Sequence, residues 1–307
     1  MGGYRIGLAL GSGAARGWSH IGVIDALMEA GIKPVAVAGT SMGALVGGAY
    51  CAGRLEALRD WALGVDRRRI MSLLDVSLSK GGLVDGQRIQ SLLEGLGLDG
   101  AIESFPVAFA AVATDLADGR EVWLRKGPAA AAIRASISMP GIFSPVLLED
   151  RWLIDGGLVN RIPVSTCRAI GADFIIAVSV TEGLLGRRLE KLRAGIAAGD
   201  EAAREARLSQ MLEQVPAPLR GAAERVLPNL LKGGPQAPGY LDVLVNSLTI
   251  MQERITRSRL AGEPPHVIIT PDIASIHLMD FDRAEEAIEA GREATRKVLG
   301  TISEMLT

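Results

Sequence analysis

The stretch VAGTSMGALVG, Val37 to Gly47, sets one serine between two glycines, with Gly39 and Gly43 each two positions from Ser41. The apolar run PVAVAG leads into it, and small residues with helical character, ALVGGAYCAG, lead out of it. A strand that turns sharply into a helix at Gly39-Thr40-Ser41-Met42-Gly43 has the G-x-S-x-G pattern of a nucleophile elbow. The chemistry explains the glycines. A hydroxyl that must project above a sheet sits on a strained turn, and side chains two positions either side would strike the neighbouring strand and helix. Ser41 also falls at the first turn of the following helix, where the dipole favours developing negative charge. The plainer reading is a glycine-rich turn whose serine only caps a helix.

Working outward, short apolar runs alternate with helical patterns. RIGLAL (5–10), PVAVAG (34–39), PVAFAAVAT (106–114), REVWLR (120–125), RWLID (151–155), ADFIIAVSV (172–180) and HVIITP (266–271) predict strands. WSHIGVIDALMEAGI (18–32), the segment from Met42, PAAAAIRASIS (128–138), PVSTCRAIG (163–171) and 282–306 predict helices, and several short ones are expected between Arg54 and Leu96. YLDVLVNSLTIMQERI (240–255) carries mixed strand and helix signals. The alternation predicts an α/β layered sheet. Between about 182 and 240 the strand pattern stops. Arg, Ala, Leu, Gly and Pro dominate there, and leucines at helical spacing are broken by Pro216, Pro218 and Pro228. The expected organisation is one domain over 1–307 carrying a helical insertion at 182–240.

Composition narrows the function classes. Of 307 residues, 48% are hydrophobic and 22% charged, and the formal charge of −2 argues against a nucleic-acid footprint. No apolar run reaches the length of a membrane span. The first residues show no basic leader. Cys51 and Cys167 make neither a disulfide framework nor a metal set. These features predict a reduced, cytoplasmic protein without metal or cofactor.

A second glycine loop, LALGSGAARGWSH, also joins a strand to a helix. As a dinucleotide fingerprint it is poor: Arg16 stands where the third glycine belongs, and the next strand ends without a carboxylate. As an oxyanion loop it would bring the backbone N–H groups of Gly11, Ser12, Gly13 and Ala14, with that of Met42, against a tetrahedral intermediate. A tight turn is the third reading. For the base, His266 and His277 fit the Ser–acid–His chain order of an ordinary triad but have no distinctive setting, and His20 reads as a hydrogen-bonded packing residue. WLIDGGLVNRIP places Asp155 at a strand end before Gly156 and Gly157, where the plainer reading is a turn aspartate. An ordinary Asp is a weak base, and partial burial would strengthen it.

The combination of GSGAARG, GTSMG and DGG resembles the patatin-like phospholipases. KGGLVDGQRI, AAVATDLADGRE, AIRASISMPGIFSPV and RSRLAGEPPHVIITP resemble their short bacterial RssA-like branch, which relates to the catalytic domain of neuropathy target esterase. The likeness covers nearly the whole chain outside roughly 183–238. It implies a three-layer α/β/α fold with a central, mostly parallel sheet. It also implies hydrolysis of lipid acyl esters by a Ser41–Asp155 dyad without histidine. Gly39, Gly43, Gly156, Gly157, Arg16 and Gly17 complete the motifs, with Arg16 steadying the loop, forming an ion pair or attracting an anionic head group. Ser12 departs from the family, where many members have glycine. A catalytically silent regulatory or scaffold protein on the same fold is the alternative. The 182–240 segment is net basic and amphipathic, which fits a lid, a peripheral contact with the inner membrane surface, or a homo-oligomer interface.

Overall fold

Successive side chains of a strand point to opposite faces of a sheet, and in the central strands the larger apolar residues fall mostly on one face and alanines mostly on the other. The computed structural model describes residues 3–73, 85–181 and 240–307. The strands are β1 Ile6–Leu10, β2 Ala36–Thr40, β3 Ala108–Asp115, β4 Glu121–Leu124, β5 Val146–Leu148, β6 Arg151–Asp155, β7 Phe174–Val178 and β8 Val267–Ile269. The helices are α1 Ser19–Glu29, α2 Met42–Cys51, α3 Leu55–Leu63, α4 Arg67–Leu73, α5 Gln87–Gly95, α6 Ala129–Ser136, α7 Val164–Ala169, α8 Tyr240–Gly262 and α9 Ala284–Leu306. Leu8, Leu10, Val37, Phe109, Ile176 and Val178 join a core with α1, α2, α6 and α9 on one face of the sheet. Ala9, Ala36, Ala38 and Ala177 face the other way, and their small side chains seat Val164 and Cys167 of α7. Both cysteines are buried and free.

The chain divides into two compact units, Met1–Glu182 with Met251–Thr307, and Gly183–Ile250. Of the second unit only residues 240–250 are described, the first turns of α8. The helical insertion expected at 182–240 otherwise lies outside the described residues.

One sheet runs in the order β5-β6-β3-β2-β1-β7-β8, with β4 also paired to β3. From β3 through β8 neighbouring strands are parallel, while β4, β6 and β5 are antiparallel to their partners. All seven strands expected from the sequence are present, and 240–255, where the signals were mixed, is helical. β5 is an addition. It pairs with β6 across the turn Glu149-Asp150, where φ is +47° and +60°.

The register of β3 prepares the site. Val112 pairs with both Thr40 and Trp123, and the next residue, Ala113, pairs with both Val122 and Asp155. Trp123 and Val122 belong to β4 and occupy one edge of β3. A strand residue has two edges, so Thr40 and Asp155 take successive places on the other. Where β2 leaves the sheet, β6 arrives with its last residue beside the end of β2.

Candidate active site

Ser41 follows the last residue of β2 and precedes α2, with φ +56° and ψ −120°. A non-glycine residue there is strained by about 1–3 kcal/mol and persists only where its surroundings over-determine it. The surroundings do so. The Ser41 N–H donates to Ser136 Oγ at 2.9 Å, and the Ser136 hydroxyl donates to the Val112 carbonyl at 2.6 Å. The neighbouring Thr40 Oγ1 donates to the Asn160 carbonyl at 2.8 Å. The two elbow glycines are required sterically. A Cβ on Gly39 would run into the Gly43 carbonyl, and one on Gly43 into the Leu10 carbonyl. Both obstacles are backbone and cannot move aside.

Asp155 ends β6. Its Oδ2 accepts a hydrogen bond from Ser41 Oγ at 2.7 Å, and its Oδ1 accepts from the Gly157 N–H at 2.7 Å. Its own N–H donates to the Ser138 carbonyl at 2.9 Å, and its carbonyl accepts from Thr114 Oγ1 at 2.8 Å. Both Ser41 and Asp155 are buried. Burial pushes the Asp155 carboxyl up to about 6, against opposing pulls from the Ser41 and Gly157 hydrogen bonds and the charge of Arg161. The result is a carboxylate poised to take a proton near neutral pH.

The first glycine loop divides into two parts. The Gly11 N–H donates to the Val178 carbonyl at 3.1 Å, and the Ser12 N–H to the Arg161 carbonyl at 3.0 Å. These two groups, expected among the oxyanion donors, are therefore engaged in holding the loop to the sheet. The N–H groups of Gly13, Ala14 and Met42 have no acceptor among the described residues. The loop and the elbow touch: a Cβ on Gly17 would run into that of Met42. A second clamp comes from far along the chain. Ala15 N–H donates to the Leu278 carbonyl at 3.1 Å, Arg16 Nε to the Ile276 carbonyl at 2.7 Å, and Trp18 Nε1 to the Phe281 carbonyl at 3.2 Å. Arg16 is thus tied into the loop's strap. Gly156 packs on the Val112 carbonyl, and Gly157 lies under the Asp155 carboxylate and the Ser12 hydroxyl.

The histidines stand apart. His20 is fully buried, with Nε2 at 2.7 Å from the Gly11 carbonyl, and burial pulls it down to about 4, so the ring is neutral and Nε2 carries the proton. His266 Nδ1 accepts the Ile175 N–H at 2.9 Å, and the ring stacks on Phe174. His277 is exposed and faces Asp280. None bonds to Ser41 or Asp155. Two residues escaped the sequence reading. Ser136 is a polar interruption of an alanine-rich helix, a signal that was visible. Arg161 sits beside Asp155 with only its charge, in the tail of WLIDGGLVNRIP, to mark it. One hollow of about 200 Å³ is lined by Asn160, Ile162, Val164 and residues of α8, and another of about 640 Å³ by Phe105, Val107, Ala108 and Gly171 at the strand ends opposite the dyad. Among the described residues no three His, Cys, Asp or Glu side chains gather to hold a metal, and no helix is long and apolar enough to cross a membrane.

Residues 8–168 match the family model of the patatin-like phospholipases. An uncharacterised NTE family protein of Mycobacterium tuberculosis is 35% identical over 96% of this chain and 91% of its own length. A lysophospholipase of Emericella nidulans is 33% identical over 58% of this chain and 12% of its own much longer one. Among solved structures, VipD from Legionella pneumophila superposes with a TM-score of 0.53 over 97% of this chain and 67% of that one, at 14% identity, a likeness of fold.

Proposed function

This chain belongs to the patatin-like phospholipase family, a family of lipid ester hydrolases, and we propose that it cleaves carboxylic esters of lipids with Ser41 as nucleophile and Asp155 as sole general base. The observation that carries the reading is the 2.7 Å hydrogen bond from Ser41 Oγ to a buried Asp155 held near a pKa of 6. Oγ attacks the acyl carbon while its proton passes to Asp155 Oδ2. The carbonyl oxygen becomes an oxyanion, held by the N–H groups of Gly13, Ala14 and Met42 and by the start of α2. Collapse breaks the ester bond, and the leaving alkoxide takes the proton from Asp155. Water then attacks the acyl-serine, giving its proton to the same carboxylate, and the carboxylic acid departs as Ser41 is re-protonated.

A fluorophosphonate probe should label wild-type protein and leave Ser41→Ala unlabelled, and a panel of p-nitrophenyl esters and lysophospholipids should be hydrolysed. A folded wild type that neither labels nor hydrolyses any member of the panel is the outcome that favours a silent scaffold. The 182–240 segment is proposed to govern access of membrane-borne substrates or to join subunits. Replacing it with a Gly/Ser linker should spare a soluble short-chain ester and depress hydrolysis of vesicle-borne lipid. Equal rates on both, at unchanged oligomeric state, would refute a role in access.

A further inference from the structure

Arg161 is only 8% exposed, yet its side chain makes a single hydrogen bond among the described residues, from Nε to Ser12 Oγ at 3.2 Å. A guanidinium has five N–H donors, and here only one of them meets a protein acceptor among the described residues. The two carboxylates whose fields reach it, Glu253 and Asp155, are engaged elsewhere. Glu253 pairs with Arg257 at 3.0 Å, and Asp155 accepts from Ser41 and Gly157. Among the described residues the four N–H bonds of Nη1 and Nη2 have no acceptor. Ser12 explains how the group is held. Its N–H is bonded to the Arg161 carbonyl at 3.0 Å while its hydroxyl accepts from Nε, a double link between the loop and the DGG tail. The position is at the dyad. A Cβ placed on Gly157 would lie 3.0 Å from Ser12 Oγ and 2.9 Å from Asp155 Oδ1, so both atoms cover the same α-carbon.

We propose that Arg161, steadied by Ser12, is the recognition group for a phosphate carried on the alcohol portion of the ester substrate. The planar fork of the guanidinium matches two phosphate oxygens, and the contact would be charge-assisted. The placement of the acyl group rests on the ester-hydrolase reading, whereas phosphate binding itself does not. The competing role is a positioning one, in which Arg161 only offsets the charge of Asp155.

Two measurements separate these. In calorimetry on the full chain, glycerol 3-phosphate should bind wild type, glycerol should not, and Arg161→Met should weaken binding at least tenfold, with Arg161→Lys intermediate because it keeps charge and loses the fork. In kinetics, kcat/KM for a 1-acylglycerol 3-phosphate should fall at least tenfold more than that for the phosphate-free 1-acylglycerol, chiefly through KM. Equal losses on both esters would assign Arg161 to positioning alone and overturn the proposal, as would wild type that fails to bind glycerol 3-phosphate or binds it no better than inorganic phosphate. Arg161→Lys carries the test should Arg161→Met not fold. Binding that depends on Arg161 in a protein without esterase activity would uphold the phosphate site and sink the hydrolase reading; hydrolysis without such binding would do the reverse.

Discussion

Replacing Asp155 with Asn tests the dyad through stability as well as rate. Burial raises this carboxyl from 3.8 to about 6, and each pKa unit corresponds to about 1.4 kcal/mol, so keeping it ionised in the fold costs about 3 kcal/mol. Asn has nearly the same shape. Its oxygen can still accept the Gly157 N–H, and its amide can donate to Ser41 Oγ. The cost of the buried charge disappears and the contacts remain. Between about pH 4 and 6 the folded wild type holds a proton that the unfolded chain has released, so this group's contribution to stability declines as pH rises through that window and is flat above about 7. Asp155→Asn lacks that decline. Urea unfolding followed by circular dichroism should therefore show the variant close to wild type at pH 4 and more stable by up to about 3 kcal/mol at pH 8. Esterase activity should drop by about 10² to 10⁴, the scale of a lost general base. A stability difference that is the same at both pH values, or a variant less stable than wild type at pH 8, would refute the buried-base argument.

The same carboxyl sets the acid limb of wild-type hydrolysis: kcat/KM should fall below about pH 6, to about a tenth at pH 5, and a rate still at its plateau at pH 5 would count against Asp155 as the base. His266→Gln and His277→Gln should each retain fluorophosphonate labelling and ester hydrolysis, and a folded variant of either as inactive as Ser41→Ala would point to a histidine triad. Gly13→Val would drive a Cβ into Val180 and displace a free N–H, with an expected loss in acylation of about a hundredfold by stopped-flow; full activity in a folded variant would remove the loop from the oxyanion site.

The candidate site was legible because its two reactive side chains sit in local contexts that carry their own geometry. GTSMG bends a strand into a helix, and DGG ends a strand on a carboxylate. The glycine loop was legible as a loop, but which of its N–H groups stay free was not. The acceptors that engage Gly11 and Ser12 belong to β7 and to the segment after DGG, about 150 residues or more away in sequence, and no local pattern announces such pairing. β5 was hidden for a different reason. Its hairpin places Glu149 and Asp150 at positive φ, where Asn or Gly would be the usual sign. Arg161 was invisible as a partner because its significance lies in what surrounds it. A basic residue in a polar tail looks solvated until the fold buries it beside Ser12.

The strap formed by Ile276, Leu278 and Phe281 also puts a clock on the molecule. Arg16 and Ile276 are 260 residues apart, and ribosomes add roughly 5–20 residues per second. The glycine loop therefore waits on the order of 10–50 s after its own synthesis before the segment that fastens it exists. During that interval the nascent chain already contains the elbow serine and, for the latter part, its aspartate. The proposed oxyanion donors are thus fastened by a segment made well after the elbow serine and its aspartate.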